Sequence, residues 1–197
     1  MLNKFFKPRI GACVLACTTL SAQAHTGHGT HSLMEGLEHP LGTDHLLAMV
    51  AVGLWSVSVL NARQAWQGPA TFLLALFLSA IAGAMGLKPD FLEHAIALSV
   101  VFFGAMLVWH KTLSRPMGLG LITAAASLHG LAHGAETPET GFAGYAIGFL
   151  LTTATLHLTG VSVGLSLRRL LAEHSRLALS SVGLAMAGAG AYLFTQV

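Results

Sequence analysis

The chain has 197 residues, of which 54% are hydrophobic and only 9% are charged, whereas about 25% are charged in a typical soluble domain. This composition excludes an ordinary soluble domain, because too little polar surface is left to cover the apolar residues. The formal net charge is only +2, and no basic patch with interleaved aromatic residues accompanies it, which argues against a nucleic-acid partner. We therefore expect an integral membrane protein.

Residues 1–24 have the pattern of a cleavable signal peptide. The segment opens with three basic residues, continues through an apolar stretch at 10–20 and closes on the small-x-small cleavage site Ala22-Gln23-Ala24. An uncleaved anchor is the alternative, but the apolar stretch is short for a span. Both cysteines, Cys13 and Cys17, lie in this segment, so the mature chain would contain neither a disulfide nor a thiolate metal ligand.

Residues 25–38 are predicted to form a short periplasmic segment that is rich in histidine and glycine. His25, His28 and His31 recur at three-residue spacing. Cleavage after Ala24 would leave His25 with a free α-amine beside its imidazole, which is a bidentate metal chelator. The segment is therefore a candidate for collecting metal ions, and the alternative is an unstructured tail whose histidines are incidental.

The rest of the chain, residues 39–197, is predicted to form one transmembrane domain of six helices. Apolar runs of about 20 residues are long enough to cross the roughly 30 Å hydrocarbon layer. Short connections that contain glycine, proline or charged residues separate them. The predicted spans are 39–60, 68–87, 91–110, 117–134, 141–167 and 177–195.

The basic residues predict the orientation of these helices. A cleaved signal peptide places the mature N-terminus, and after six spans the C-terminus, in the periplasm. The loops after helices one, three and five are then cytoplasmic, and they contain six of the seven basic residues after the signal, as the positive-inside rule requires: Arg63, Lys111, Arg115, Arg168, Arg169 and Arg176. Trp55 and His110 are expected at the cytoplasmic ends of their helices, the first as an interfacial aromatic and the second as a solvated residue.

Two groups of ionisable residues are predicted at the outer ends of helices. An ionisable group within a span costs roughly 2.5–3.5 kcal/mol on insertion scales, so it usually has a partner or a task. The first group is His39, Asp44 and His45 in helix one, where Asp44 is either a direct ligand or the group that fixes an imidazole tautomer. The second is His129, His133 and Glu136, whose spacing can place all three on one helical face. Imidazole and carboxylate donors without thiolate favour Ni(II), Co(II), Zn(II) or Cu(II).

Three further residues are accessory candidates for metal binding. Glu93 and His94 lie at the outer end of helix three, where interfacial solvation explains them equally well. His157 lies deeper, in helix five, close to several hydroxyl side chains. It is either a later point on an ion pathway or a partner in ordinary hydrogen bonds between helices.

The sequence His-Pro-Leu-Gly-Thr-Asp-His at 39–45 closely resembles a motif of the HupE/UreJ family of nickel/cobalt permeases. A second family-like motif, His-Gly-Leu-Ala-His-Gly-Ala-Glu, occupies 129–136, and the similarity covers essentially the whole chain. The resemblance implies uptake of Ni(II), or of Co(II), across the bacterial inner membrane in support of hydrogenase or urease maturation, with no prosthetic group. By position it also implies a functional role for the six residues of the two groups above.

Other function classes also use histidines and carboxylates clustered in helices. An intramembrane zinc-dependent hydrolase would hold Zn(II) and a bound water with three protein ligands, and its variants would lose hydrolysis rather than transport. A haem-binding cytochrome would need histidines at matched depth on facing helices and would show a Soret band. Divalent-metal affinity alone does not separate nickel from cobalt, because the Irving–Williams order is not selectivity in a cell.

Overall fold

The computed structural model describes residues 33–137, 141–171 and 174–197. The predicted signal peptide at 1–24 lies outside these described residues, and so do His25, His28 and His31. Within the described ranges the chain is helical, with no β-strand. A short helix α1 and a 3-10 turn precede six longer helices: α1 Leu33–Glu38, the 3-10 turn His39–Leu41, α2 Thr43–Val59, α3 Gln67–Ala84, α4 Leu92–Val108, α5 Arg115–Ala135, α6 Phe142–Leu171 and α7 Ser175–Phe194.

Each of the six predicted apolar segments coincides with one of the helices α2 to α7, and their ends agree to within about one helical turn. The all-helical architecture is therefore confirmed. α3, α6 and α7 are long and apolar enough to cross a membrane, and the bent unit Leu33–Leu41 with Thr43–Val59 would be a fourth span. α4 is apolar but has only 17 residues. The crossing of a membrane by all six helices remains a prediction.

The first predicted span differs from the structure at its N-terminal end. Instead of one straight helix from residue 39, the chain bends by 76° between Leu41 and Thr43. Pro40 lacks a backbone N–H, and Gly42 adopts an extended ψ of 143°, so the ladder of helical hydrogen bonds is interrupted here. In addition, Leu33–Glu38 is helical, although the sequence predicted only a polar segment before residue 39.

Close glycine contacts join the helices into pairs. α3 packs on α5, α4 on α7 and α2 on α6. A methyl group at Gly134 would collide with the Ala80 carbonyl oxygen, and one at Gly104 would meet Gly183 of the partner helix. Small residues let helix backbones approach closely in lipid, where dispersion contacts rather than water drive association. Many large apolar side chains point away from the bundle: Leu74, Leu78, Phe102, Leu151, Leu158 and Leu184 are all exposed.

Trp55 was expected to be an exposed interfacial aromatic and His110 a solvated residue, but the structure buries both. Trp55 is only 1% exposed and His110 only 6%. Gly118 lacks a side chain where the Trp55 ring lies, so α5 can approach α2 and cover the indole. The His110 ring donates from Nδ1 to the Leu107 carbonyl oxygen at 2.8 Å, which satisfies one polar atom without solvent.

Candidate metal centre

Three histidines from two separate parts of the chain meet at one end of the bundle. His39 lies in the 3-10 turn, His45 in the first turn of α2 and His133 in the last turn of α5. One possible ligand atom from each lies within 4.8 Å of the other two. We call this group the three-histidine cluster. His45 and His133 are buried, whereas the side chain of His39 is 20% exposed.

The bend before α2 accounts for the presence of both His39 and His45 in the cluster. The two residues stand on opposite sides of Gly42, where the chain changes direction by 76°. On a straight helix a separation of six residues would place them on different faces. Here their ring centroids are 5.8 Å apart, and the His133 ring lies 4.6 Å from His39 and 4.7 Å from His45. The bend therefore turns both imidazoles toward α5.

Two carboxylates accompany the cluster. Glu136 Oε2 lies 3.1 Å from His39 Nε2, and Asp44 Oδ1 lies 2.9 Å from His45 Nδ1. Because a carboxylate can only accept, His45 carries a proton on Nδ1, and its neutral ring has the lone pair on Nε2. That Nε2 atom is buried and has no hydrogen-bond partner among the described residues. Of the two roles considered for Asp44, this contact favours fixing the tautomer of a ligand imidazole.

His133 is the most enclosed member of the cluster. Its side chain is fully buried, and neither ring nitrogen has a hydrogen-bond partner within the described part of the chain. The ring stacks on Phe149 of α6, with centroids 4.8 Å apart and planes only 10° apart. Leaving a buried polar group unpaired costs about 1–3 kcal/mol. A cation bound by the free lone pairs of His45 and His133 would satisfy both residues, so the donor set fits a divalent ion that prefers imidazole and carboxylate.

The other predicted site residues lie at different distances from the cluster. His129, one turn before His133, is outside the group of three, but its ring is 4.6 Å from His45. Glu93 is half-buried and close enough to interact electrostatically with His45. His94 is exposed, and its ring lies 5.2 Å from Phe194, so the structure does not bring it to the cluster. His157 lies further along α6, beside Phe72.

One face of α6 lines the histidines, and among its residues only His157 was a candidate from the sequence. Tyr145, Phe149, Thr153 and His157 recur at four-residue spacing, and all four side chains are buried. Tyr145 contacts His39, Phe149 contacts His133 and His157 contacts Phe72. The spacing itself is visible in the sequence as one helical stripe. Its partners were not predictable, because they depend on how α6 packs against α2, α3 and α5.

These features define a helical protein with membrane-capable helices and a buried cluster of histidines and carboxylates. The family described as HupE / UreJ protein matches residues 13–193, and the chain belongs to this family. It is also 35% identical over 153 residues to the protein HupE of Rhizobium leguminosarum bv. viciae, which covers 76% of this chain and 80% of that protein. No solved structure matches the chain. The resemblance inferred from the two motifs is thus confirmed.

Proposed function

We propose that the chain is a permease that takes up Ni(II), or Co(II), across the bacterial inner membrane. The observation that carries this proposal is the three-histidine cluster, in which ligand atoms from His39, His45 and His133 lie within 4.8 Å of one another. Family membership supports the same conclusion, and it gives no support to the zinc hydrolase alternative. The metal is cargo, so the site must release what it binds, and moderate affinity is expected.

The position of the cluster is the basis for the first step of uptake that we propose. It lies at the N-terminal end of α2 and the C-terminal end of α5, and the distribution of basic residues predicts that these ends are periplasmic. His39 and the adjacent Glu136, each 20% exposed, are the side chains that an arriving hydrated ion meets first. Water on the ion is then exchanged for the imidazoles of His45 and His133, which lie deeper.

Radioactive nickel uptake tests the proposal in cells that lack their own nickel importers. Cells that make the chain are expected to accumulate nickel well above cells with an empty vector, and excess unlabelled Co²⁺ is expected to compete. An immunoblot of the membrane fraction confirms that the chain is present. Accumulation equal to the empty vector, with the chain present in the membrane, would show that the proposed function is wrong.

The orientation is tested independently of transport. Alkaline phosphatase is active only where disulfides form, so a fusion after Val197 is expected to be active if the C-terminus is periplasmic. A fusion in the loop that contains Arg63, between α2 and α3, is expected to be inactive. The reverse pattern would place the three-histidine cluster on the cytoplasmic side and would contradict the uptake direction.

A further inference from the structure

A row of aromatic and imidazole rings continues from the three-histidine cluster into the middle of the bundle. The His45 ring lies 4.6 Å from His129, His129 lies 5.8 Å from Phe72, and Phe72 lies 4.8 Å from His157. His129 is one turn, about 6 Å, deeper along α5 than His133. His157 is two turns, about 12 Å, beyond Phe149 along α6. The row therefore leads away from the end of the bundle.

The hydrogen bonds of His129 leave one nitrogen free. Ser99 donates its single hydroxyl proton to the Ile96 carbonyl oxygen at 2.7 Å. Its oxygen, 2.9 Å from His129 Nε2, must then accept a proton from that nitrogen. His129 therefore carries its proton on Nε2 and a lone pair on Nδ1. Nδ1 is buried and has no hydrogen-bond partner among the residues the structure describes.

His157 has the complementary arrangement. Its Nδ1 lies 2.7 Å from the Thr153 carbonyl oxygen, which can only accept, so Nδ1 carries the proton. Nε2 keeps a lone pair and is likewise unpaired within the described ranges, as is the Thr153 hydroxyl oxygen. All three side chains are fully buried.

We propose that His129 and His157 form a second metal station, deeper than the three-histidine cluster, with His129 Nδ1 and His157 Nε2 as ligand atoms. Buried polar atoms normally have partners, and two neutral imidazoles with free lone pairs are suitable ligands for Ni(II) or Co(II). The inference rests on the proposed function, because only a transported ion needs successive binding points along one path.

Phe72 packs against both ligands of the second station. Its ring contacts both His129 and His157, and the side chain is fully buried. An ion held between His129 and His157 would therefore lie beside this ring. With two successive sites, neither site has to bind its ion so tightly that release fails.

Counting bound metal on the purified full chain tests the second station. His25, His28 and His31 are first replaced by alanine, so that the N-terminal histidines do not contribute. Equilibrium dialysis against Ni²⁺ is then expected to find two ions per chain, and only one in His157→Gln. Glutamine can still donate to the Thr153 carbonyl, but its amide oxygen is a poorer ligand for these ions. His94→Gln makes the same change at the exposed histidine and is expected to leave two ions bound.

Nickel uptake in cells gives the second readout. His157→Gln is expected to reduce uptake by about tenfold or more, as loss of a metal-site residue commonly does, whereas His94→Gln is expected to transport like the wild type. An unchanged metal count or an unchanged uptake rate in His157→Gln would overturn the second station. If that variant does not reach the membrane, the metal count of the chain with alanine at 25, 28 and 31 decides. One bound ion instead of two in that chain would also overturn the second station.

The two proposals fail in different ways. If the wild-type chain accumulates no more nickel than the empty vector, the proposed function itself is wrong. If the wild-type chain transports nickel and His157→Gln transports equally well, only the second station is wrong. The experiment therefore separates a deeper binding point from the function on which it depends.

Discussion

Replacing either His45 or His133 with alanine is expected to reduce nickel uptake by more than about tenfold, since even residues behind the direct ligands cost 10–100-fold when they are changed at metal sites. Both residues supply buried nitrogens that have no hydrogen-bond partner among the described residues. Alanine removes the ligand nitrogen, beside Asp44 in one variant and beside Phe149 in the other. The measurement is the initial rate of radioactive nickel uptake, normalised to the amount of chain in the membrane.

His94→Ala is the matched control for this pair. It removes an imidazole that the sequence also made a candidate, but one that is exposed and contacts Phe194 instead of the cluster. Its uptake is expected to equal that of the wild type. If His45→Ala and His133→Ala both transport at the wild-type rate, the three-histidine cluster is not the binding site.

Asp44→Asn is expected to fall between these variants, with an uptake reduced by about tenfold. The asparagine carbonyl can still accept from His45 Nδ1, so the tautomer is retained in part. The negative charge is lost, however, and with it the stronger charge-assisted hydrogen bond that makes Nε2 a better donor to the metal. If Asp44 bound the metal directly, Asp44→Asn would be expected to reduce uptake as much as His45→Ala does. The size of the effect therefore distinguishes the two roles considered for Asp44.

The sequence was sufficient to predict the helices and the identity of the candidate ligands, but not their grouping. Hydropathy located α2 to α7 because each helix carries a nearly continuous apolar run. Spacing along α5 placed His129 and His133 on one face, yet in the structure only His133 belongs to the three-histidine cluster. Only the 76° bend at Gly42 decides that His39 joins His45 and His133, and the sequence indicated merely that Pro40 and Gly42 would distort the first turn.

His157 and His94 are two further residues whose surroundings could not be predicted from the sequence. Their sequence contexts left it open whether either residue binds metal, since each histidine had an ordinary structural explanation. The packing of α6 against α2 and α3 buries His157 completely and places it beside Phe72, whereas the packing of α4 against α7 leaves His94 outside the cluster. Contacts between distant helices decide these outcomes, and no local pattern encodes them.

The close contact between α2 and α6 beside His157 can be tested by substituting Gly53 in the middle of α2. A side chain there would collide with the His157 carbonyl oxygen and with the Val161 backbone nitrogen, so Gly53→Leu must push α2 and α6 apart. Overpacking a close contact costs about 1–3 kcal/mol and more where backbone must move, which is a large share of the roughly 5–15 kcal/mol that stabilises a typical protein. We expect a clear fall in the thermal midpoint of the detergent-solubilised chain and in its amount in the membrane.

Gly120→Leu is the control, because nothing lies within 4 Å of the added atom there and the gain in helix propensity is the same. If Gly53→Leu and Gly120→Leu have the same thermal midpoint, α2 and α6 are not in backbone contact. The positions of His45 and His157 relative to each other would then have to be revised.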